Sequence, residues 1–441
     1  MEAVEKLIAI FYSLLILANA LALRKLMGTW LFPGALFSLF WFFYTFFPLI
    51  VLFEVPVNAT AVGFIALAVI LFSSTALLFN WKEAFPVNLQ KSEPALVYDT
   101  SFLKVVLAVS IGISLLGSVW HLYAQGYSFM EVITNPVMVA SKFADARYND
   151  ELNYTIFGPI SLLFSNIAVI LSGFLYGARA RKILFLAFLP SLVILLTQSA
   201  KGLFFQSIFL FLGGLMVTRL YAHRFILFRR GLVIKGLLGG LFLFALLAVS
   251  FLSRGGIDHI DDLAVLFDSL RILFATYFFG HIYGFSDWFT AFTGGRAMHS
   301  YDTSHYYWGY YTFLSVYKAL GATKVTSAGV YDEFFVYKDL LDSNIYTMFR
   351  GLMMDFGLIG TGAFMLLNGW LVHAVYYWFL RHSRPVFSAI FIVFMLEYFY
   401  ISFGISLLTW NVIPITFVLC YLILKWNQYA FVKRSEATAM A

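Results

Sequence analysis

The chain has 441 residues, of which 61% are hydrophobic, 20% aromatic and 12% charged, with a mean hydropathy of +0.85. A soluble domain carries about 25% charged residues, so too few polar groups exist to cover a globule of 50.1 kDa. This composition describes an integral membrane protein and argues against a soluble enzyme, a nucleic-acid binder or a disordered scaffold. The net charge of +6 is read as a topology signal, because basic residues stay on the cytoplasmic side of a bilayer.

Crossing a hydrocarbon core of about 30 Å takes roughly 20 apolar residues as helix, since every backbone group must be hydrogen-bonded internally. In chain order, eleven segments meet that demand: 6–23, 29–53, 60–80, 103–123, 157–178, 183–199, 203–220, 232–252, 348–379, 386–404 and 408–425. The first follows MEAVEK, without the basic start and cleavage site of a removable signal, so it is expected to remain as a helix. The stretch 262–290 is also apolar but is broken by Asp268, Arg271, His281 and Asp287, each costly at the bilayer centre.

The basic clusters Arg179/Arg181/Lys182, Arg219/Arg224/Arg229/Arg230/Lys235 and Arg381/Arg384 mark the inner side. With these fixed, Arg24/Lys25, Lys82/Lys91/Lys104 and Lys425/Lys433/Arg434 fall on the same side, and the outer connections are left net acidic. That split places the N-terminus outside, gives eleven spans, and makes 262–290 a re-entrant or surface-lying helix. The expected architecture is an all-α polytopic membrane protein with one membrane domain over 1–441. Its large extracytoplasmic loop, 253–347, carries short helices.

The large loop is dense in Trp, Tyr and His, as in MHSYDTSHYYWGYYTFLSVY over 298–317. Such residues form either an interfacial belt or a platform for the apolar faces and hydroxyls of sugar rings. Four isolated cations lie at or near the outer face: Lys201 in a hinge between two apolar helices, Arg254 after the eighth span, Arg271, and Arg350 at the start of the ninth. An arginine fork makes bidentate, charge-assisted bonds to phosphate oxygens, so a lipid-linked phosphate or pyrophosphate is the ligand these cations suit. The alternative is local pairing or snorkelling, Arg254 with Asp258 or Arg271 with Asp268.

The run from Gly255 to Asp262 contains Asp258, His259, Asp261 and Asp262. It reads as a metal-binding turn or, more simply, as a loop feeding a helix N-terminus where acidic residues are favoured. Candidates for a general base on the outer side are His281, Asp287, His299, His305, Asp332 and Glu333. The sole cysteine, Cys420, lies in the last apolar segment, so no intrachain disulfide can form. Asn58 and Asn153 stand in Asn-x-Thr sequons that fall outside in this topology.

Three features together resemble the O-antigen polymerases, the Wzy-type oligosaccharide repeat-unit polymerases of bacterial surface polysaccharide. They are the hinge Ser199-Ala200-Lys201-Gly202, the basic Arg254 after the next span, and Asn344-Ile345-Tyr346-Thr347 followed by Asp355-Phe356-Gly357 and Gly360. The layout, with one big loop late in the chain, is similar over nearly the whole length. The hinge has Lys201 where an arginine is commoner in that family, and lysine acts as a point charge. Ser343 or Asn344 also reads as an N-cap for the ninth span, and Asp355-Phe-Gly-x-x-Gly as a helix packed on its glycine face.

The resemblance implies a GT-C-like fold in the bacterial inner membrane, with the active site on the periplasmic face. It implies glycosyltransfer from a polyprenyl (undecaprenyl) pyrophosphate carrier to the non-reducing end of another lipid-linked unit, with inversion and without a metal or other cofactor. On this scheme Lys201, Arg254, Arg271 and Arg350 stabilise the leaving pyrophosphate. The base is His281 or a carboxylate such as Asp287 or Glu333, and Tyr277, Asn344 and Tyr346 are further substrate contacts. A chain-length-regulating co-polymerase is an implied partner. An O-antigen ligase-like enzyme is the near alternative, and a flippase or transporter of lipid-linked sugars the alternative of another class. Transporters place charges near the midplane in paired repeats, whereas here Glu397 is the main intramembrane exception and no internal symmetry is apparent.

Overall fold

The structure is a computed structural model. It describes residues 2–85, 99–149, 151–177, 184–222, 224–226, 268, 271–272, 274–303, 306–322, 331–382 and 386–440. The expected span 232–252, Arg254, the run 255–262 and His305 lie outside the described residues.

Fourteen helices are numbered here in chain order. They are α1 (Glu2–Met27), α2 (Pro33–Val51), α3 (Ala59–Ser74), α4 (Thr100–Ala124), α5 (Phe129–Thr134), α6 (Pro136–Tyr148) and α7 (Phe157–Gly177), followed by α8 (Leu189–Gln198), α9 (Lys201–Tyr221), α10 (Gly280–Phe292), α11 (Leu314–Ala319), α12 (Met348–Arg381), α13 (Val386–Ile401) and α14 (Val412–Met440). Strands β1 (Phe335–Tyr337) and β2 (Leu341–Ser343) form an antiparallel hairpin in which Val336 faces Asp342. The fold is thus nearly all α.

Among the described residues, eight helical segments are long and apolar enough to cross a membrane: Glu2–Met27, Pro33–Val51, Ala59–Leu78, Thr100–Ala124, Phe157–Tyr176, Lys201–Tyr221, Met348–Arg381 and Val412–Phe431. Two expected spans, 183–199 and 386–404, correspond to the shorter apolar helices Leu184–Gln198 and Val386–Ile401. The chain is therefore compatible with a multi-pass membrane protein.

The chain divides into two compact units. The first comprises Met1–Trp81, His259–Tyr377 and Tyr398–Asn411, and the second Lys82–Asp258, Trp378–Glu397 and Val412–Ala441. In the second unit, α7 and α9 run in parallel at close quarters. A Cβ at Gly173 would strike the carbonyl of Phe211, and one at Gly214 the carbonyl of Ile170, which is how small residues let helix backbones approach in an apolar medium.

In the first unit, α1, α2 and α3 form an antiparallel set whose N-terminal, C-terminal and N-terminal ends, respectively, meet. At that shared end, the Lys6 ammonium donates to the carbonyls of Leu52 and Val55 just past α2, meeting oxygens that have no intrahelical partner. Glu5 accepts from the Ala59 amide at 2.9 Å, and Asn58 caps α3 by accepting from the Thr60 amide. Helix α10 closes the same end. Its residues 280–289 are all buried, Tyr283 donates to the carbonyls of Pro48 and Leu52 at 2.8 and 2.7 Å, and Asn58 donates to Thr290 at 2.9 Å. Of the two expectations for 262–290, the burial of 280–289 on every side does not fit a surface-lying helix over those residues, because such a helix leaves one face outward, whereas Asp268, Arg271 and Ile272 are exposed.

Helix α12 is not continuous. Gly357 sits at φ 69° and ψ −176°, in left-handed territory that glycine enters without a Cβ penalty, and a Cβ there would come within 3.2 Å of the Tyr306 ring. Upstream of the break, Met348–Asp355 are all buried. Downstream, Ile359 is 91% exposed. Helix α12 begins at Met348, so neither Ser343 nor Asn344 caps it. The Ser343 hydroxyl instead accepts from the Ile345 amide at 3.2 Å, closing a local turn ahead of the helix.

Candidate functional site

The gathered end of the first unit holds a buried arginine. Arg350, in the first turn of α12, is 1% exposed. Its Nη2 donates to the Glu333 carboxylate at 2.9 Å, and Glu333 is 33% exposed. The guanidinium carbon lies 4.0 Å from the ring centre of Tyr331, 4.1 Å from Tyr346, 5.5 Å from Trp288 and 5.6 Å from Tyr301. Aromatic faces stabilise a cation most where water is excluded. Two of its donor atoms, Nε and Nη1, have no hydrogen-bond partner among the described residues. A buried guanidinium with unmet donors is costly, and it is the arrangement that an oxyanion would complete.

Each wall of this cage has a local reason to be where it is. Tyr346 precedes α12 and donates its hydroxyl to the Glu333 carbonyl at 3.2 Å, joining the residue before the helix to the loop that carries the counterion. Tyr331 stacks on Tyr311 with centroids 5.4 Å apart. Burial pushes the Tyr331 and Tyr346 hydroxyls above their ordinary acidity range, and the Arg350 charge partly opposes this. Both therefore stay protonated donors at neutral pH.

Asp287, on α10, organises the next stretch of loop. Its buried carboxylate accepts from the amides of Met298 and His299 at 2.7 and 3.1 Å, from His299 Nδ1 at 2.9 Å and from the Tyr301 hydroxyl at 3.0 Å. His299 Nε2 accepts from the Val336 amide at 3.3 Å, which assigns the ring proton to Nδ1, facing the carboxylate. Burial raises the Tyr301 hydroxyl above its usual range, and the neighbouring Tyr346 and Asp287 add to it. Asp287 thus holds Tyr301 against Arg350 and acts as a clamp, with its lone pairs committed.

Asp355 does the same for the loop leading into α11. Its buried carboxylate accepts from the Tyr311 amide at 3.2 Å and from the Thr312 amide and hydroxyl at 2.7 and 2.6 Å. The motif Asp355-Phe-Gly is therefore a loop anchor followed by a helix break, and Gly360 packs against the Phe356 side chain.

The structure brings Arg350, Glu333 and Tyr346 together, with Asp287 one residue removed through Tyr301. Asn344 lies half-buried in the turn between β2 and α12. Arg271 is elsewhere in the same unit, exposed and paired with Glu54 at 2.6 Å rather than with Asp268. Tyr277 lies half-buried in the π-helical turn ahead of α10. Asp332 precedes Glu333 on the exposed side of its loop.

His281 is buried between the Tyr44 and Phe403 rings, and its Nε2 donates to the Tyr44 carbonyl at 2.9 Å. Burial lowers its pKa to about 4, with backbone hydrogen bonds opposing, so the ring is neutral and its one proton is committed. Lys201 belongs to the second unit, where it opens α9 after Ser199 and Ala200, the φ of 51° at Ser199 breaking the chain between α8 and α9.

Sequence reasoning singled out Arg350, Glu333 and Tyr346 separately and missed Tyr331, Tyr301 and Trp288 as their partners. The signal available was the tyrosine density of the loop. Among the described residues, no group of three or more His, Cys, Asp or Glu side chains is arranged to hold a metal ion. No protein-family model matches the chain, and neither a curated protein nor a solved structure matches it.

Proposed function

We propose that this protein is a membrane glycosyltransferase that polymerises oligosaccharide repeat units. The glycan is transferred from its polyprenyl pyrophosphate carrier to the non-reducing end of another lipid-linked unit. The observation that carries the reading is Arg350: a buried guanidinium with two unmet N–H donors, inside a cage of Tyr and Trp built by the large loop. As the anomeric C–O bond breaks, negative charge grows on the departing pyrophosphate, and a preorganised cation stabilises that state more than the ground state. Glu333 holds the guanidinium in place when no phosphate is present, and being one-third exposed it can turn outward to admit one.

The aromatic and hydroxyl-rich walls suit the two faces of a sugar ring, which favours a glycan over a bare lipid phosphate as the substrate. On this reading the gathered end of the first unit faces the periplasm.

The test is the length of surface glycan in the native host after deletion of the gene and complementation. Wild type should restore a ladder of bands, whereas Arg350→Ala and Arg350→Lys, at normal membrane abundance, should leave a single repeat unit. A normal ladder after deletion would sink the polymerase reading. Long chains that fail to reach their final acceptor would indicate a ligase, and repeat units retained on the cytoplasmic side a flippase.

A further inference from the structure

The second unit buries a carboxyl group. Glu397, on α13, is 0% exposed, and neither of its oxygens has a hydrogen-bond partner among the described residues. Asn166, on α7, is equally buried, and the same holds for its amide oxygen, its amide nitrogen and the hydroxyl of its neighbour Ser165. Polar groups in an apolar interior are costly unless bonded, and ordered water is what ordinarily satisfies those the protein does not.

Helix contacts put these groups at one level. Thr218 on α9 donates to the Phe174 carbonyl on α7, an offset of 44 residues between parallel helices, so Asn166 stands level with Leu210, near the middle of α9. A Cβ at Gly213 would lie 2.8 Å from Val393. Helix α13 runs opposite to α9, because Tyr221 at the end of α9 packs on Phe379 just before the turn into α13. Glu397, one turn past Val393, therefore also comes level with Leu210. Asn166, Ile170 and Gly173 form one stripe of α7, Val393 and Glu397 one stripe of α13, and both stripes face α9. Among the described residues of these helices Glu397 meets no other charge. Helix α7 has no charged side chain, Lys201 and Arg219 are two turns or more from Leu210, and α14, packed on α13 through Phe417 against Phe387 and Phe394, has none before Lys425. Cys420 and Tyr421 lie beyond Phe417, and Tyr398 turns to the first unit, where Asn368 donates to its hydroxyl at 2.8 Å.

A track of hydroxyls leads to that level from the end of α4 that enters the loop 124–156. There the half-buried His121 bonds through Nδ1 to the Thr155 hydroxyl at 2.8 Å. One turn further in, the Ser161 hydroxyl lies 2.7 Å from that of Ser118 and 3.3 Å from that of Ser114. Ser165 is the next turn of α7 on the same stripe, and Asn166 beside it turns toward α9. A helical turn rises about 5.4 Å, a gap that one water bridges.

We infer that Glu397 is an exchangeable proton site inside the membrane, reached from the side of the loop 124–156 through Ser118, Ser161, Ser114, Ser165 and Asn166. The carboxylate takes one proton from water at that face and becomes a neutral acid, and release retraces the route, so no other reactant is consumed. Hydroxyls and bound water pass a proton because each both donates and accepts, and Asn166 offers the carboxyl one group of each kind. The second unit thereby senses acidity on that face, a property independent of what the arginine cage binds.

The experiment uses the full chain in lipid nanodiscs and infrared difference spectra between alkaline and acidic buffer. The carbonyl stretch of a protonated carboxyl should appear on acidification, be absent in Glu397→Gln, and shift on transfer to heavy water. In Ser161→Ala/Ser165→Ala, which removes two hydroxyls and adds no bulk, that shift should set in about tenfold more slowly, since hydrogen bonds are lost from the route. Dicyclohexylcarbodiimide, which attacks protonated carboxyls in apolar surroundings, needs no variant and so answers even where Glu397→Gln fails to fold. Mass spectrometry should place its adduct on Glu397, in a yield that rises as the buffer is acidified. Absence of that adduct, or a Glu397 band and adduct yield equal in acidic and alkaline buffer, overturns the site, because the carboxyl would then be sealed off or a fixed structural acid. Exchange as fast in the double serine variant as in wild type overturns the route.

Discussion

The ammonium of Lys6 donates to the hydroxyl of Tyr283 at 3.1 Å, joining the second turn of the chain to a helix 277 residues later. The same ammonium lies 4.6 Å from the Tyr283 ring centre and binds the carbonyls beyond α2. Lys6 thus neutralises the negative end of one helix and orients the residue that closes the bundle. Lys6→Met should lower unfolding stability in detergent by about 2 kcal/mol, because buried carbonyls lose a charged donor. Lys6→Arg should recover part of that loss. Equal melting temperatures for Lys6→Met and wild type would refute the account.

Removing Arg350 and removing Glu333 should differ. Arg350→Met leaves Glu333 unpaired but able to reach water, since Glu333 is one-third exposed, and a methionine refills the cage. Glu333→Gln leaves the buried guanidinium with no counter-charge. We expect Glu333→Gln to be the more destabilising, by about 1–3 kcal/mol, because an uncompensated buried charge costs more than a lost partial surface pair. Thermal unfolding of the two variants side by side decides the order.

Gly357→Ala should destabilise by about 1–2 kcal/mol, because its φ of 69° disfavours any Cβ and the Tyr306 ring leaves little room for one. Tyr306→Ala in the same background should relieve the contact but not the backbone cost. A double-variant cycle in chemical unfolding separates the two contributions.

The pH dependence of stability should carry a signature of His281. Its pKa in the folded protein is about 4, against 6.5 for a free histidine, so between these values the unfolded chain binds the extra proton. Stability should therefore rise with pH from about 4 to about 6.5 and be level above that, with His281 contributing a slope of at most about 1.4 kcal/mol per pH unit. His281→Gln keeps a donor for the Tyr44 carbonyl and should remove this part of the slope. A slope unchanged in His281→Gln would show that the ring is charged in the folded state.

The proposed orientation is open to chemical labelling. Cys420 is buried, so single cysteines can be placed in a Cys420→Ala background. Tyr154→Cys, at a fully exposed position, should react with a membrane-impermeant maleimide from the periplasmic side, and His382→Cys only after the cells are opened. The reverse pattern would invert the topology.

The apolar helices were legible because lipid leaves helical backbones no other partners: the ten expected segments that fall on described residues each coincide with helical structure, and eight of these are long and apolar enough to cross a membrane. Cap residues and pairings were less legible because they depend on tertiary contacts. Ser343 and Asn344 had the chemistry of an N-cap, but the chain needs three more residues to bring Tyr346 onto Arg350 before the helix begins. Arg271 had Asp268 three residues away and found Glu54, just past the end of α2 and 217 residues away in sequence. Asp287 stood out as a charge in an apolar stretch, and Asp355 only as part of the Asp-Phe-Gly motif. Their role as loop clamps depends on backbone amides, which carry no residue identity in a sequence.

The break at Gly357 separates two lengths that do different work. From Leu358 to Arg381 the helix rises about 1.5 Å per residue and reaches about 36 Å, which alone exceeds a hydrocarbon core of about 30 Å. The nine residues from Met348 to Phe356 are surplus to spanning, and they carry Arg350, Gly351 and Asp355. One added residue immediately before Gly357 would leave the spanning stretch its full length while turning Arg350 by about 100° about the helix axis, swinging the cation out of its aromatic box. The lower helix is a fixed post and the upper one an indexed dial, set by a single glycine.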